Sequence, residues 1–149
     1  MSLYISNMGS RNQEIYEKNI DACRDTHTDP EELKGLAYSL RDTRLLKALV
    51  VNPATPETAL YSLGTRFPAK LMQNPIWNLW VFTDPGFVCR LPIALQRALA
   101  FCTETPMAIL RRLAGTNRKS VLVRAACAAN PSCPVDMMEM YRTQHRMVR

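Results

Sequence analysis

Hydrophobic residues three positions apart recur in short segments along this chain. The leucine pairs with this spacing are Leu33 and Leu36, Leu60 and Leu63, and Leu110 and Leu113. A spacing of i, i+3 places two side chains on the same face of an α-helix. The pattern therefore predicts a series of short amphipathic helices, each with one apolar side.

A short motif with two prolines precedes these helices, and it is clearest in "NPATP" (52–56) and "NPSCP" (130–134). Aligning the residue before the second proline superposes five positions, with steps of 27, 22, 28 and 28 residues. The aligned residues are Thr28, Thr55, Trp77, Thr105 and Cys133. The third copy is degenerate: it keeps Asn74 and Pro75, places Phe82 where other copies have an apolar core residue, and has Pro85 three residues later. Three nearly equal steps and one shorter step indicate an internal repeat with one degenerate copy.

The threonines of the motif are predicted to begin helices. In Thr55-Pro56 and Thr105-Pro106 the hydroxyl can accept a hydrogen bond from a free N–H, and proline has no N–H to lose at the first helical position. Thr28 with Glu31 fits a capping box.

A second helix is predicted in each unit before the Asn-Pro pair, which ends it because a residue preceding proline disfavours the helical region. These helices are 44–51, 68–73, 91–101 and 120–129. Gly64 and Gly115 are predicted to follow helix ends, where glycine is common. The segment 11–24 is predicted to form a capping helix. The expected architecture is all-α, with an N-terminal cap over residues 1–27 and about five two-helix repeats over residues 28–149.

Several copies of the motif resemble the leucine-rich repeat variant family, whose units follow the pattern V-R-x-A-V-A-x-N-P-x-T-P-x-x-x-L-x-x-L. The matching stretches are "TDPEELKGLA" (28–37), "LLKALVVNPATPETALYSL" (45–63), "TETPMAILRRLAG" (103–115) and "SVLVRAACAANPSCPVDMMEM" (120–140). The resemblance implies a right-handed superhelix of paired short helices, an α-solenoid, and no single function. Some relatives hold an iron–sulfur centre on an N-terminal cysteine cluster. Only Cys23 lies in the first 80 residues here, so no cofactor is expected.

The composition fits a folded, intracellular protein. Apolar residues make up 47% and charged residues 21% of the 149 positions, which is normal for a globular chain. There is no basic segment followed by an apolar segment at the N-terminus and no apolar run of about 20 residues, so neither a signal peptide nor a membrane span is expected. The five cysteines are scattered and form no C-x-x-C, which predicts reduced thiols in a cytoplasm and no metal site.

The positive charge lies in the C-terminal part of the chain. Residues 1–85 have a net charge of −1 and residues 86–149 a net charge of +7. A candidate basic ridge consists of Arg97, Arg111, Arg112, Arg118 and Lys119. A phosphate backbone or an acidic protein surface would suit such a ridge. A solvated outer surface is the alternative.

Four aromatic residues, Trp77, Trp80, Phe82 and Phe87, fall within eleven positions of the degenerate copy. They either fill the core where the packing is irregular or line a groove. Asp84 lies beside them and could supply a carboxylate to an aromatic pocket, as in some helical-repeat DNA glycosylases. An aspartate before proline is, however, typical of a turn.

The favoured hypothesis is a non-catalytic scaffold that binds a protein partner through one face of the superhelix, since helical repeats offer extended surfaces. The alternative is nucleic-acid binding through the basic C-terminal half, and a third hypothesis is an enzyme acting on a nucleic-acid base. No phosphate loop, catalytic triad pattern or H-E-x-x-H motif supports catalysis. The residues predicted to bind a partner are Arg97, Arg111, Arg112, Arg118, Lys119, Trp77 and Trp80.

Overall fold

All regular structure in the described part of this chain is helical, which confirms the predicted all-α class. The structure is a computed structural model; it describes the backbone of residues 2–116 and 120–146 and the side chains of residues 9–115, 120–143 and 146. In addition to a 3-10 helix, Pro85–Arg90, the helices are α1 Ser2–Arg24, α2 Pro30–Ser39, α3 Thr43–Val51, α4 Glu57–Arg66, α5 Pro68–Leu71, α6 Pro75–Thr83, α7 Ile93–Phe101, α8 Met107–Thr116, α9 Val121–Ala129 and α10 Val135–Arg146.

The helices pack in two rows. In the odd row, which comprises α1, α3, α5, α7 and α9, each helix contacts the next odd-numbered one. We group the even-numbered helices and the 3-10 helix as the even row, in which α2 contacts α4 and the 3-10 helix contacts α6 and α8. The core lies between the rows and includes the predicted leucines Leu33, Leu60 and Leu110, each at most 1% exposed. The apolar spacing therefore identified the buried side of α2, α4 and α8.

The degenerate copy departs from that spacing, because Phe82 is 88% exposed. α6 begins at Pro75, directly after Asn74, whereas α4 begins five residues after its asparagine. The residue of α6 that enters the core is Trp77, at 3% exposure. Five residues of helix turn the chain by about 140° beyond one full rotation. Phe82 consequently points away from the core, and its predicted burial is wrong.

The two glycines predicted to follow helix ends lie inside helices, Gly64 in α4 and Gly115 in α8, and neither has a positive φ. Gly64 instead allows a close approach between helices. A Cβ at Gly64 would lie 2.5 Å from Leu71 Cδ2 and 3.2 Å from Leu95 Cδ1. At Gly115 no atom would lie within 4 Å of an added Cβ.

Three asparagines at the junctions between helices are buried: Asn52, Asn74 and Asn130 are 3%, 0% and 2% exposed. In each, the side-chain oxygen accepts a hydrogen bond from the backbone N–H two residues later, at 2.8–2.9 Å. Such a local turn stabilises the path of the chain out of the preceding helix. Because the asparagines are buried, their side-chain N–H groups also need hydrogen-bond acceptors.

The side-chain amide of each of these asparagines donates hydrogen bonds to the preceding junction in the chain. We call this arrangement the asparagine ladder. Each Nδ2 donates to two backbone carbonyls that are two residues apart. The acceptors are Cys23 (2.8 Å) and Asp25 (3.0 Å) for Asn52, Val50 (2.8 Å) and Asn52 (3.1 Å) for Asn74, and Ala100 (2.7 Å) and Cys102 (2.8 Å) for Asn130. The ladder thus attaches successive junctions to one another.

The ladder is interrupted at the junction before α8, where Cys102 replaces the asparagine. A thiol cannot supply the two N–H groups of an amide. Within the described residues no side-chain amide joins this junction to Asn74. The buried amide of Gln96 donates instead to Cys89 at 3.1 Å and Leu91 at 2.7 Å, just before α7.

The threonines of the motif do not cap the helices that follow, contrary to prediction. Each hydroxyl donates backward to the carbonyl six residues earlier. The pairs are Thr28 to Ala22 (2.8 Å), Thr55 to Leu49 (2.7 Å) and Thr105 to Leu99 (2.6 Å). α4 begins only after Pro56, whose ψ of 146° is not helical. The helix therefore starts too late for the hydroxyl of Thr55 to reach its N–H groups.

The capping box predicted for Thr28 is also wrong. The N-cap of α2 is Asp29, whose carboxylate accepts from the N–H of Glu31 at 2.8 Å. An aspartate at this position satisfies a free N–H and places negative charge at the positive end of the helix. The hydroxyl of Thr28 remains available to bond the end of α1.

Replacing Cys133 by threonine is expected to stabilise the protein by about 0.5–1.5 kcal/mol, the net value of one ordinary hydrogen bond. Cys133 occupies the threonine position of the last junction and is 7% exposed. Its thiol contacts the carbonyl of Pro134 at 3.6 Å, whereas a threonine hydroxyl there would reach the end of α9 as at the other junctions. Urea denaturation of the variant and the original protein measures the difference. Cys133→Ser, which lacks the methyl group, is the control; a loss of stability in both variants would contradict the prediction.

Candidate partner-binding surface

The structure describes three of the five residues of the predicted basic ridge. Arg111 and Arg112 are exposed neighbours on α8 in the even row, while Arg97 lies on α7 in the odd row. Arg118 and Lys119, the remaining members, lie outside the described residues. Arg97 therefore lies in a different row from Arg111 and Arg112, although all three are close in sequence.

One of the two arginines of α8 forms an ion pair with a carboxylate of the protein. Arg111 donates to Asp136 of α10 at 3.0 and 3.5 Å and lowers the pKa of that carboxyl group. The pKa of Asp84 is lowered mainly by the hydrogen bond from Arg90, and the charge of Arg112 makes a smaller contribution. Part of the positive charge predicted to meet a partner is therefore directed to acids of the protein itself.

The aromatic cluster mostly fills the core. Trp77 is 3% exposed and meets the ring of Phe87 edge to face, with the ring centroids 5.3 Å apart. Trp80 packs on Phe87 at 5.6 Å and on Tyr61 at 6.0 Å. Trp80 is half-buried and reaches the surface, whereas Trp77 presents almost no area to a partner.

Trp80 borders a shallow depression of about 240 Å³ that also includes Tyr61 and Asp84. The carboxylate of Asp84 accepts from the N–H of Gly86 at 3.0 Å and forms an ion pair with Arg90. These bonds lower the pKa of Asp84, first through Arg90. A general acid or base needs a pKa close to the working pH, so Asp84 is suited to hold the turn rather than to transfer a proton.

The odd row carries a different basic surface. Helices α3, α5, α7 and α9 contain cations and no Asp or Glu. Their cations are Arg44, Lys47, Lys70, Arg97 and Arg124. Arg66, the last residue of α4, occupies the same place before Asn74 as Arg44 does before Asn52, eight residues upstream. We use the name basic face for Arg44, Lys47, Arg66, Lys70 and Arg97.

Cation–π contacts hold most of these side chains against aromatic rings. Measured from the guanidinium carbon or ammonium nitrogen to the ring centroid, they are Arg44 over Tyr16 (4.5 Å), Lys47 over Phe67 (5.8 Å), Arg66 over Phe67 (5.2 Å) and Arg97 over Phe101 (5.5 Å). The contacts of Arg44 and Lys47 join α3 to α1 and to the start of α5. The face of an aromatic ring attracts the cation, and the N–H groups that point away from the ring stay accessible to a ligand.

Most of the basic face lacks a neutralising acid. Arg44 pairs with Asp42 at 2.8 Å. Among the described residues, the other four cations form no ion pair with a carboxylate. Between residues 43 and 135 the chain has only three acids, Glu57, Asp84 and Glu104, and none belongs to an odd-row helix. A surface with one sign of charge attracts ligands of the opposite sign.

Exposed apolar side chains adjoin the basic face on α7 and α9. Ile93, Phe101, Val121 and Leu122 are 47%, 51%, 54% and 58% exposed, and we call them the apolar patch. Ile93 and Val121 stand at equivalent places, nine residues before Cys102 and Asn130. Because α7 packs directly on α9, equivalent positions on the two helices lie near each other. Exposed apolar side chains on neighbouring helices are typical of interaction surfaces.

The sequence already indicated this surface, because acidic residues are absent from one helix of each repeat. The predicted second helix of each unit contains no acid from residue 43 onward. Comparing the two halves of the chain hid that pattern, because the acids of the N-terminal half lie in α1, α2 and α4 and in the segments between helices.

Within the described residues, no group of three His, Cys, Asp or Glu side chains could hold a metal ion. The same part of the chain has no helix with the length and apolar character needed to cross a bilayer. No disulfide bond joins any of the five cysteines, all of which lie within the described residues. No protein-family model, curated protein or solved structure matches this chain. The resemblance to the leucine-rich repeat variant family therefore stays a prediction that depends on the repeated motif.

Proposed function

We propose that this protein is a non-catalytic helical-repeat scaffold that binds a protein partner through the exposed side of its odd row. The observation that carries the proposal is the joint presence there of the basic face and the apolar patch. Protein interfaces combine arginine and aromatic side chains with an apolar centre. The odd row offers these groups on helices that contact one another in series.

The scaffold is proposed to be a right-handed α-solenoid of about five two-helix units. Support comes from the asparagine ladder and the threonine bonds, which recur with the spacing of the motif. In a solenoid each unit contacts mainly its neighbours and the array presents an extended surface. The handedness is taken from the resemblance to the leucine-rich repeat variant family.

The test compares two charge-reversal variants with the same net charge. Lys47→Glu/Arg97→Glu changes the basic face, and Arg142→Glu/Arg146→Glu changes exposed residues of α10 in the even row. Partners captured from the native extract after nuclease treatment are identified, purified and titrated against the original protein and both variants. We expect the basic-face variant to bind at least about tenfold more weakly, since unfavourable charge contacts each cost on the order of 1 kcal/mol or more. Equal binding by all three proteins would disprove docking on this face.

Nucleic-acid binding is a second candidate function, favoured by the lack of acids in the odd-row helices from α3 onward. Phosphate contacts release counterions, so affinity must fall steeply with rising salt. If this candidate is correct, random-sequence single-stranded RNA or DNA should bind at low salt and dissociate as salt is added. Absence of retention at low salt would exclude it.

A further inference from the structure

We propose, on the basis of the function proposed above, that the partner contributes an acidic amphipathic segment. Its carboxylates would lie against the basic face and its apolar side chains would cover the apolar patch. The segment would cross the odd row, with its acidic part towards α3 and α5 and its apolar part towards α9. The following observations favour this chemistry over a nucleic acid.

The basic face is suited to carboxylates. Arg97 is held over Phe101 and Arg66 over Phe67, so both guanidinium groups are restrained before a ligand arrives. A guanidinium group stacked on a ring keeps its edge N–H groups, which match the two oxygens of a carboxylate. Restraint before binding reduces the entropy lost on association.

The apolar patch distinguishes a polypeptide from a nucleic acid. Three of its four side chains, Ile93, Val121 and Leu122, are aliphatic. Bases of single-stranded nucleic acids stack on flat aromatic or guanidinium surfaces. Phe101, the one aromatic member of the apolar patch, is covered on one side by Arg97. Aliphatic side chains gain most from contact with apolar side chains of another protein.

The order of the cations and the exposed apolar residues along the odd row also restricts the kind of ligand that fits. The cations come from α3, the α4–α5 junction, α5 and α7, whereas the exposed apolar residues come from α7 and α9. A ligand with uniform charge, such as a phosphate backbone, would lie on cations at one end and on aliphatic groups at the other. A segment with separate acidic and apolar parts meets complementary groups along its whole length.

The experiment measures the binding of labelled probes by fluorescence anisotropy. The probes are a 20-residue acidic amphipathic peptide, the same peptide with Lys replacing Asp and Glu, the same peptide with Ser replacing its apolar residues, and a 20-nucleotide oligouridylate. The proteins are the original chain, Lys47→Glu/Arg97→Glu, Val121→Ser/Leu122→Ser and the control Arg142→Glu/Arg146→Glu. Circular dichroism checks that each variant is folded; Lys47→Gln/Arg97→Gln replaces the first variant if it is not.

We expect the acidic amphipathic peptide to bind the original chain and the control equally. Its affinity should exceed that of each altered peptide at least tenfold and fall at least tenfold for both odd-row variants. Equal binding of either altered peptide, tighter binding of the oligouridylate, or no binding of any peptide would overturn the inference.

The outcomes also separate this inference from the proposed function. If the lysine-substituted peptide binds and loses affinity for Val121→Ser/Leu122→Ser, the partner chemistry is wrong but docking of a protein on the odd row stands. If no peptide binds and Lys47→Glu/Arg97→Glu captures the same proteins as the original chain, the proposed function is wrong as well.

Discussion

Replacing Asn74 by alanine is expected to lower the free energy of unfolding by about 2–5 kcal/mol, because each buried polar group left without a partner costs about 1–3 kcal/mol. The side chain is fully buried. It donates to the carbonyls of Val50 and Asn52 and accepts from the N–H of Ile76. Alanine removes all three hydrogen bonds and leaves a cavity beside the unpaired carbonyl and N–H groups.

The matched control is Asn78→Ala on α6, the helix that follows Asn74. Asn78 is exposed, and a substitution at such a place usually changes stability by less than about 0.5 kcal/mol. Urea denaturation followed by circular dichroism measures both variants. If Asn74→Ala stays within 0.5 kcal/mol of the original protein, the asparagine ladder contributes little to stability.

Asn74→Asp tests the contribution of the amide N–H donors, because the two side chains have nearly the same volume. An ionised carboxylate cannot donate and would face the carbonyl oxygens of Val50 and Asn52, so burial should raise its pKa in the folded protein above the unfolded value of about 3.9. For an acid with a raised folded pKa, unfolding is favoured as pH increases. The stability deficit relative to the original protein should therefore be smallest at low pH and grow through neutrality.

Alanine at Gly64 and alanine at Gly115 are expected to change stability in opposite directions. The added Cβ at Gly64 would lie 2.5 Å from Leu71 Cδ2, and Leu71 is itself fully buried, so it cannot move into solvent. Overpacking of this kind costs about 1–3 kcal/mol. At Gly115 an added methyl meets no atom within 4 Å, and alanine in a helix is favoured over glycine by about 0.5–1 kcal/mol.

Thermal unfolding by circular dichroism measures this pair, with about 2–4 °C expected for each kcal/mol in a chain of this size. Each glycine lies in an even-row helix near its C-terminal end, so the two substitutions are matched in helix propensity. Stabilisation by both substitutions would mean that Leu71 and its neighbours adjust without cost, and destabilisation by both would contradict the expectation for Gly115.

The helices were largely predictable because their signal is local. The second helices expected at 120–129 and 44–51 are observed as α9, Val121–Ala129, and α3, Thr43–Val51. What failed was the role of single residues. Thr55 and Gly64 are residue types that favour helix ends, yet each serves a contact with another part of the fold. Local propensity cannot distinguish a hydroxyl that caps the next helix from one that bonds the previous helix.

The candidate surface was harder to predict because neutralisation of charge depends on distant partners. Arg111 meets Asp136, 25 residues away in sequence. Lys47 and Arg97 lie 50 residues apart on helices of the same row. Counting charges by halves of the chain placed the ridge at Arg111, whereas sorting them by row identifies the odd-row helices that carry cations and no acids.

The direction of the asparagine ladder has a consequence for synthesis on the ribosome. In each step the amide donor lies later in the chain than its carbonyl acceptors, as Asn130 does relative to Ala100 and Cys102. A nascent chain emerges from its N-terminus, and its early parts can fold first. Every asparagine would then leave the exit tunnel when its acceptors are already in place. Among the described junctions that follow α3, α5, α7 and α9, the one at Cys102 lacks such a bond. Translation past this junction is therefore where we expect an incompletely folded intermediate to be longest lived.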